Sequence, residues 1–167
     1  GNGMLGTVGT VTGTGTVTGK TIGNLSYKFS KPAPPTAASV SQSYTIGGSL
    51  PATLPRTGGT PDVPAADGKY YYFINNTTIG ATTITAGKKV VIVGTNTDME
   101  TGFRVPADNS DPSNPLIGSA EIYMDGPITL TGNDNVNKVA SPSPSRAGAL
   151  TVYPTTTQTC TLRGHPP

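Results

Sequence analysis

A chain of 167 residues in which apolar side chains make up 34%, aromatics 6%, and tryptophan is absent fits one domain with a modest core. Charged residues are 12% of the total and the net charge is +2, against about 25% charged in an ordinary soluble domain. Eleven scattered basic residues give no electrostatic footprint for nucleic acid, and no run approaches the roughly 18 apolar residues of a membrane span.

Twenty-two glycines and sixteen prolines disfavour long regular elements, while abundant Thr and Val favour pleated, half-buried surfaces. Many short strands joined by tight turns reconcile the two. A surface covered by Thr, Ser and Asn is commoner outside cells than inside, so an extracellular or cell-surface location is expected. Cys160 is the only cysteine, which rules out a disulfide within the chain and leaves the roles of a half-buried hydrophobe or an intermolecular bridge. The chain starts at Gly1 without an initiator Met or signal segment, which reads as a piece of a longer polypeptide with its export signal or anchor upstream.

In chain order, residues 4–25 space Val8, Val11, Val17 and Ile22 among Thr and Gly. Interior glycines exclude a helix, leaving short strands with corners, or a disordered Gly/Thr linker. Leu25, Tyr27 and Phe29 alternate with Ser26, Lys28 and Ser30, the clearest period-two strand. Residues 31–64 carry seven prolines, each lacking a ladder donor; they read as a surface excursion with one short strand at Tyr44–Ile46. Asp67-Gly68 is a turn signal before a strand at 69–74. Further strands are expected at 77–79 and 82–84. The run KKVVIV at 88–93 lacks alternation, as a parallel strand covered on both faces would. Residues 94–118 read as a loop. Strands resume at 120–125, 127–133, 149–153 and 159–165. Thr129-Leu130-Thr131-Gly132-Asn133 and Thr161-Leu162-Arg163-Gly164-His165 share the form T-L-x-G-polar and are read as equivalent positions on successive turns of a coil.

The segments DGKYYYF, TITAGKKVVIV, SAEIYMDGPITLTGNDNVN and RAGALTVYPTTTQTCTLRGHPP resemble, in order and motif, a β-helical domain of bacterial cell-surface proteins. Those proteins are often associated with type IV pilus assembly proteins of the PilX kind. The Gly/Thr-rich N-terminal stretch is similar to repeats that precede that domain. The resemblance implies a right-handed parallel β-helix, or β-solenoid, and a further layer after the last T-L-x-G turn. The family has no agreed biochemical activity, so the resemblance assigns no functional residue.

The expected fold is therefore all-β, a single β-helical domain: Gly/Thr-rich strands at 1–30, a Pro-rich surface excursion at 31–66 and the main part at 67–167. The alternative is a β-sandwich. No catalytic, cofactor or metal site is expected. His165 is the single histidine, which excludes a multi-histidine metal centre. Cys160 has no third residue to make a catalytic set with it. Asn96, Asp98, Glu100, Asp108, Asn109 and Asp111 lack the D-x-D-x-D-G spacing of a calcium loop and suit solvated turns. Asn24, Asn75 and Asn76 head glycosylation-type triplets that suit turns equally well. The expected function is a non-catalytic bacterial surface or pilus-associated structural module, self-associating through strand edges or binding other surface proteins. The alternative is a carbohydrate-binding or polysaccharide-degrading β-helix, with Tyr70, Tyr71 and Tyr72 as the candidates for stacking on glycans.

Overall fold

The computed structural model describes residues 5–7, 21–23, 32–100, 102–108, 116–131, 149–157 and 160–163. It divides into two compact units, Gly1–Lys31 and Pro32–Pro167. In the first, β1 (Leu5–Thr7) pairs in parallel with β2 (Thr21–Gly23), Leu5 opposite Thr21. The predicted strand at Leu25, Tyr27 and Phe29 lies outside the described residues.

The second unit is all-β. Among the described residues its helical structure is limited to 3-10 conformation at Ala37–Ser39 and at Ala149, and no helix is long and apolar enough to cross a membrane. Its strands are β3 (Tyr44–Gly47), β4 (Thr53–Leu54), β5 (Lys69–Asn75), β6 (Thr78–Ile79), β7 (Thr83–Ile84), β8 (Lys89–Thr95) and β9 (Asp98–Met99). After these come β10 (Ala107–Asp108), β11 (Leu116–Ile117), β12 (Ser119–Met124), β13 (Ile128–Thr131), β14 (Leu150–Pro154) and β15 (Cys160–Arg163).

Three parallel sheets are built from successive passes of the chain. The largest has the order β14-β12-β8-β5-β3. Tyr44 sits opposite Tyr72, Tyr72 opposite Ile92, Ile92 opposite Ile122, and Ile122 opposite Val152. The second has the order β15-β13-β9-β6. The third joins β4 to β7, with Thr83 bridged onward to Arg104. In the second sheet Thr129 lies opposite Thr161 and Leu130 opposite Leu162, so the two T-L-x-G motifs share one register. An antiparallel pair, β10 with β11, leaves this scheme.

The Pro-rich span holds more than the one strand expected of it. Pro51 and Pro55 flank β4, yet its carbonyls remain: Thr83 N–H donates to Ala52 O at 2.9 Å and Thr85 N–H to Leu54 O at 2.7 Å. Prolines remove donors and not acceptors, so a proline-flanked strand can pair by accepting. The expected loop at 94–118 also contributes structure. Arg104 N–H donates to Thr82 O at 2.9 Å and Ile84 N–H to Arg104 O at 2.8 Å, which places Phe103 and Val105 in the core.

One apolar cluster draws on all three sheets: Tyr72, Ile92 and Ile122 from the first, Ile79 and Met99 from the second, Leu54 and Ile84 from the third. Strand alternation makes every second residue of the largest sheet face it. The residues between face outward, where Tyr71, Val91 and Tyr123 form a smaller buried cluster with Ala65. Passes stack so closely that a Cβ on Gly126 would lie 2.3 Å from Thr97 O.

Candidate functional site

The three tyrosines of β5 are all covered. Tyr70 and Tyr72 point into the core at 7% and 0% exposure, and Tyr71 faces outward at 8%. Tyr71 donates its hydroxyl to Asp67 Oδ2 at 2.6 Å. Burial, reinforced by the Asp67 carboxylate, pushes its pKa up to about 12. None of the three therefore offers an exposed ring face. One row along, Phe73, Val93, Tyr123 and Tyr153 occupy matching outward positions on adjacent strands, Tyr123 buried at 6% exposure and the other three half-buried. Tyr123 and Tyr153 stack at 4.8 Å. Thr45, Asn75 and Thr95 border a shallow depression beside Phe73 and Val93. On the same outer face Lys69 Nζ reaches over β8 to Glu121 Oε1 at 2.8 Å. That bridge spans three strands.

The stack has two differing ends. At the β3 end the loop between β4 and β5 folds over the core. Asp62 accepts at Oδ1 from Arg56 Nε (3.0 Å) and Nη2 (2.8 Å), and at Oδ2 from the Arg56 backbone N–H (2.9 Å). Tyr72 donates its hydroxyl to Asp62 Oδ2 at 2.8 Å, tying the loop to the core. The Arg56 guanidinium lies 5.2 Å from the centre of the Tyr44 ring, which stacks on Tyr72 at 5.7 Å. The Val63 N–H donates to the Tyr44 hydroxyl oxygen at 2.6 Å. Burial alone would push the Asp62 carboxyl up, but the hydrogen bonds from Arg56 and Tyr72 outweigh it and hold it below the usual carboxylate range. The residue is anionic at neutral pH, with a side chain only 1% exposed. Behind this clasp Leu54 is fully buried and Ile46 is 8% exposed.

At the β14 end the core-facing positions are Leu150 and Val152, both half-buried. Their register partners, Ala120 and Ile122, are 1% and 0% exposed. Among the described residues no strand pairs with the far edge of β14 or β15. Thr155 N–H donates to Met124 O at 2.7 Å, so by the alternation of a strand Thr151 and Tyr153 present their backbone groups to β12. Leu150, Val152 and Pro154 present theirs to the side away from β12. Pro154 has no N–H to present, which suits proline's confinement to the outer side of edge strands.

Sequence reasoning missed the Arg56–Asp62 clasp. Its signal is the segment Pro55-Arg56-Thr57-Gly58-Gly59-Thr60-Pro61-Asp62, opposite charges across a double-glycine turn; Gly59 takes φ 69° there. Cys160 belongs to β15 by its backbone, but its side chain and the whole of His165, Asn24, Asn109 and Asp111 lie outside the described residues. Among the described residues no three His, Cys, Asp or Glu side chains gather as a metal site would require.

No family model, no curated protein and no solved structure matches this chain.

Proposed function

We propose that the chain is a non-catalytic structural module of a bacterial surface or pilus-type filament, folded as a right-handed parallel β-helix and self-associating through its strand edges. The β-helix reading is supported by the recurrence of the same three-sheet order in successive passes around one core. Right-handedness follows from the rule for crossovers between parallel strands. The resemblance of residues 67–167 to the PilX-associated surface domain and the sparsely charged composition support the surface location.

The observation that carries the association is the outer side of β14, where among the described residues no strand pairs and the core-facing Leu150 and Val152 are half-buried. Sedimentation velocity over a hundredfold concentration series tests it. A reversible shift from monomer to larger species is expected, and a single monomeric species at high concentration overturns the reading.

A second reading, glycan binding on the outer face, is favoured by the half-buried Phe73 and Val93 beside Thr45, Asn75 and Thr95. Aromatic rings beside hydroxyl and amide groups suit the mixed faces of sugars. A glycan array tests it: binding lost on Phe73→Ala supports it, and no signal above background removes it.

A further inference from the structure

We infer that the cavity between the Ala37–Ser39 turn and the start of β5 binds a small sugar carrying a free primary amine, its ammonium group paired with the Asp67 carboxylate. The site involves neither a strand edge nor the depression beside Phe73, so it goes beyond both readings above.

The cavity has a volume of about 320 Å³, at the lower end of the roughly 300–1,000 Å³ of small-molecule sites. Residues 39–41 form one wall, residues 65–67 another, and Tyr71 of β5 the third. Hydrogen bonds tie these walls together. Ala66 N–H donates to Ser41 Oγ at 2.8 Å, and Ser39 Oγ donates to Thr36 O at 2.8 Å. Ala65 N–H donates to Lys69 O at 2.8 Å, which fastens the second wall to β5.

The charge facing the cavity is negative, because none of the lining side chains is basic and Asp67 is acidic. Its Oδ2 accepts the Tyr71 hydroxyl at 2.6 Å and its Oδ1 the Lys69 backbone N–H at 3.1 Å. These donors hold the carboxyl below its usual range, and each oxygen keeps a further lone pair for a ligand. The adjoining cation is already engaged: Lys69 Nζ lies 2.8 Å from Glu121 Oε1. Ser41 accepts from Ala66 and gives its own hydroxyl hydrogen to no acceptor among the described residues, so it can donate to a ligand oxygen. Val40 and Ala65 supply an apolar wall between the two polar groups. An amino sugar answers all three features, with an ammonium for Asp67, a hydroxyl or ring oxygen for Ser41 and a C–H face for the apolar wall. A neutral sugar leaves the carboxylate unanswered, and an alkylamine leaves Ser41 so.

Amide chemical shifts of the full chain, titrated with glucosamine at about pH 6, where amine and carboxylate are both charged, test the site. Saturable shifts confined to residues 39–41 and 65–71 are expected. N-acetylglucosamine, which keeps the ring and lacks the charge, and n-butylamine, which keeps the charge and lacks the ring, are each expected to bind at least about tenfold more weakly. Asp67→Asn keeps an acceptor for Tyr71 and Lys69 and removes the charge, so a loss of about tenfold is expected there too. Ala66→Phe obstructs the cavity without touching Asp67 and is expected to abolish the shifts, which decides the matter if Asp67→Asn disturbs the fold. No saturable shift up to about 20 mM glucosamine overturns the inference. Equal binding of N-acetylglucosamine overturns the ammonium–carboxylate pairing, and equal binding of n-butylamine overturns the sugar. Shifts kept in Ala66→Phe and lost in Phe73→Ala assign the binding to the depression beside Phe73 and overturn this site. Self-association, read by sedimentation, stands or falls separately from all of these results.

Discussion

The β3 and β14 ends of the stack face the same problem, since each bounds a core whose interior strands are covered on both sides, and they meet it differently. At the β3 end a loop of the chain's own sequence is pinned by a buried carboxylate, and the apolar residues behind it are sealed. At the β14 end the core-facing Leu150 and Val152 are half-buried, and among the described residues no strand pairs with the outer side of β14. The contrast teaches that a polar clasp carried by a loop can seal the apolar end of a parallel stack, bringing Leu54 to full burial where Leu150 and Val152 stay half-buried.

The sharpest way to break this comparison is to make one chemical change at both ends. Leu54→Ala, at a site with no exposure, is expected to cost about 3 kcal/mol because it removes contacts and leaves a cavity. Leu150→Ala, at a half-buried site, is expected to cost about 1 kcal/mol in the monomer. Equal losses in urea unfolding would mean that the ends are alike.

Next in size is the clasp. Asp62→Ala leaves Arg56 and the Tyr72 hydroxyl unpaired and is expected to cost about 2 kcal/mol, less than a fully buried pair because Arg56 is 41% exposed. Its pH dependence has a definite sign. A carboxyl held below its usual range stabilises the fold above the unfolded value near pH 4 and loses that contribution as pH falls through the folded value. Thermal unfolding of the native chain is therefore expected to shift down more steeply below pH 4 than that of Asp62→Asn. Tyr72→Phe keeps the ring and removes one donor to Asp62, so a loss of about 1 kcal/mol is expected. The smallest effect belongs to neither end. Lys69→Met breaks the bridge to Glu121, whose partners are 31% and 30% exposed, and less than about 1 kcal/mol is expected, falling with added salt.

Legibility in the sequence followed the physics of burial. Val90, Val91 and Ile92 are covered on both faces, and that forces the unbroken apolar run from which a parallel strand was expected. The short strand expected at Tyr44–Ile46 pairs with β5, and the two T-L-x-G motifs, legible by their repetition, pair in register. β4 was hidden because its prolines signal missing donors, while its contribution is made through carbonyls, which every residue carries. Phe103 and Val105 were hidden by the polar residues around them. The 20-residue offset that sets Lys69 opposite Lys89 also went unread, since aromatic side chains in one pass face aliphatic ones in the next. Its trace is in the corners, where Asn76-Thr77 and Asn96-Thr97 recur at the same offset and both asparagines take positive φ, 51° and 49°. The clasp joins two residues of one loop to a tyrosine of the next strand, a match that no periodicity announces.

The offsets carry one more consequence. Lys69 meets Lys89 after 20 residues, whereas Lys89 meets Ser119 after 30, and the longer circuit contains the β10–β11 hairpin. The ladder resumes its pairing whatever the length of the detour, because loop closure grows costlier only slowly with added residues. The circuit between β8 and β12 is thus where added length would disturb the spacing of the frame least.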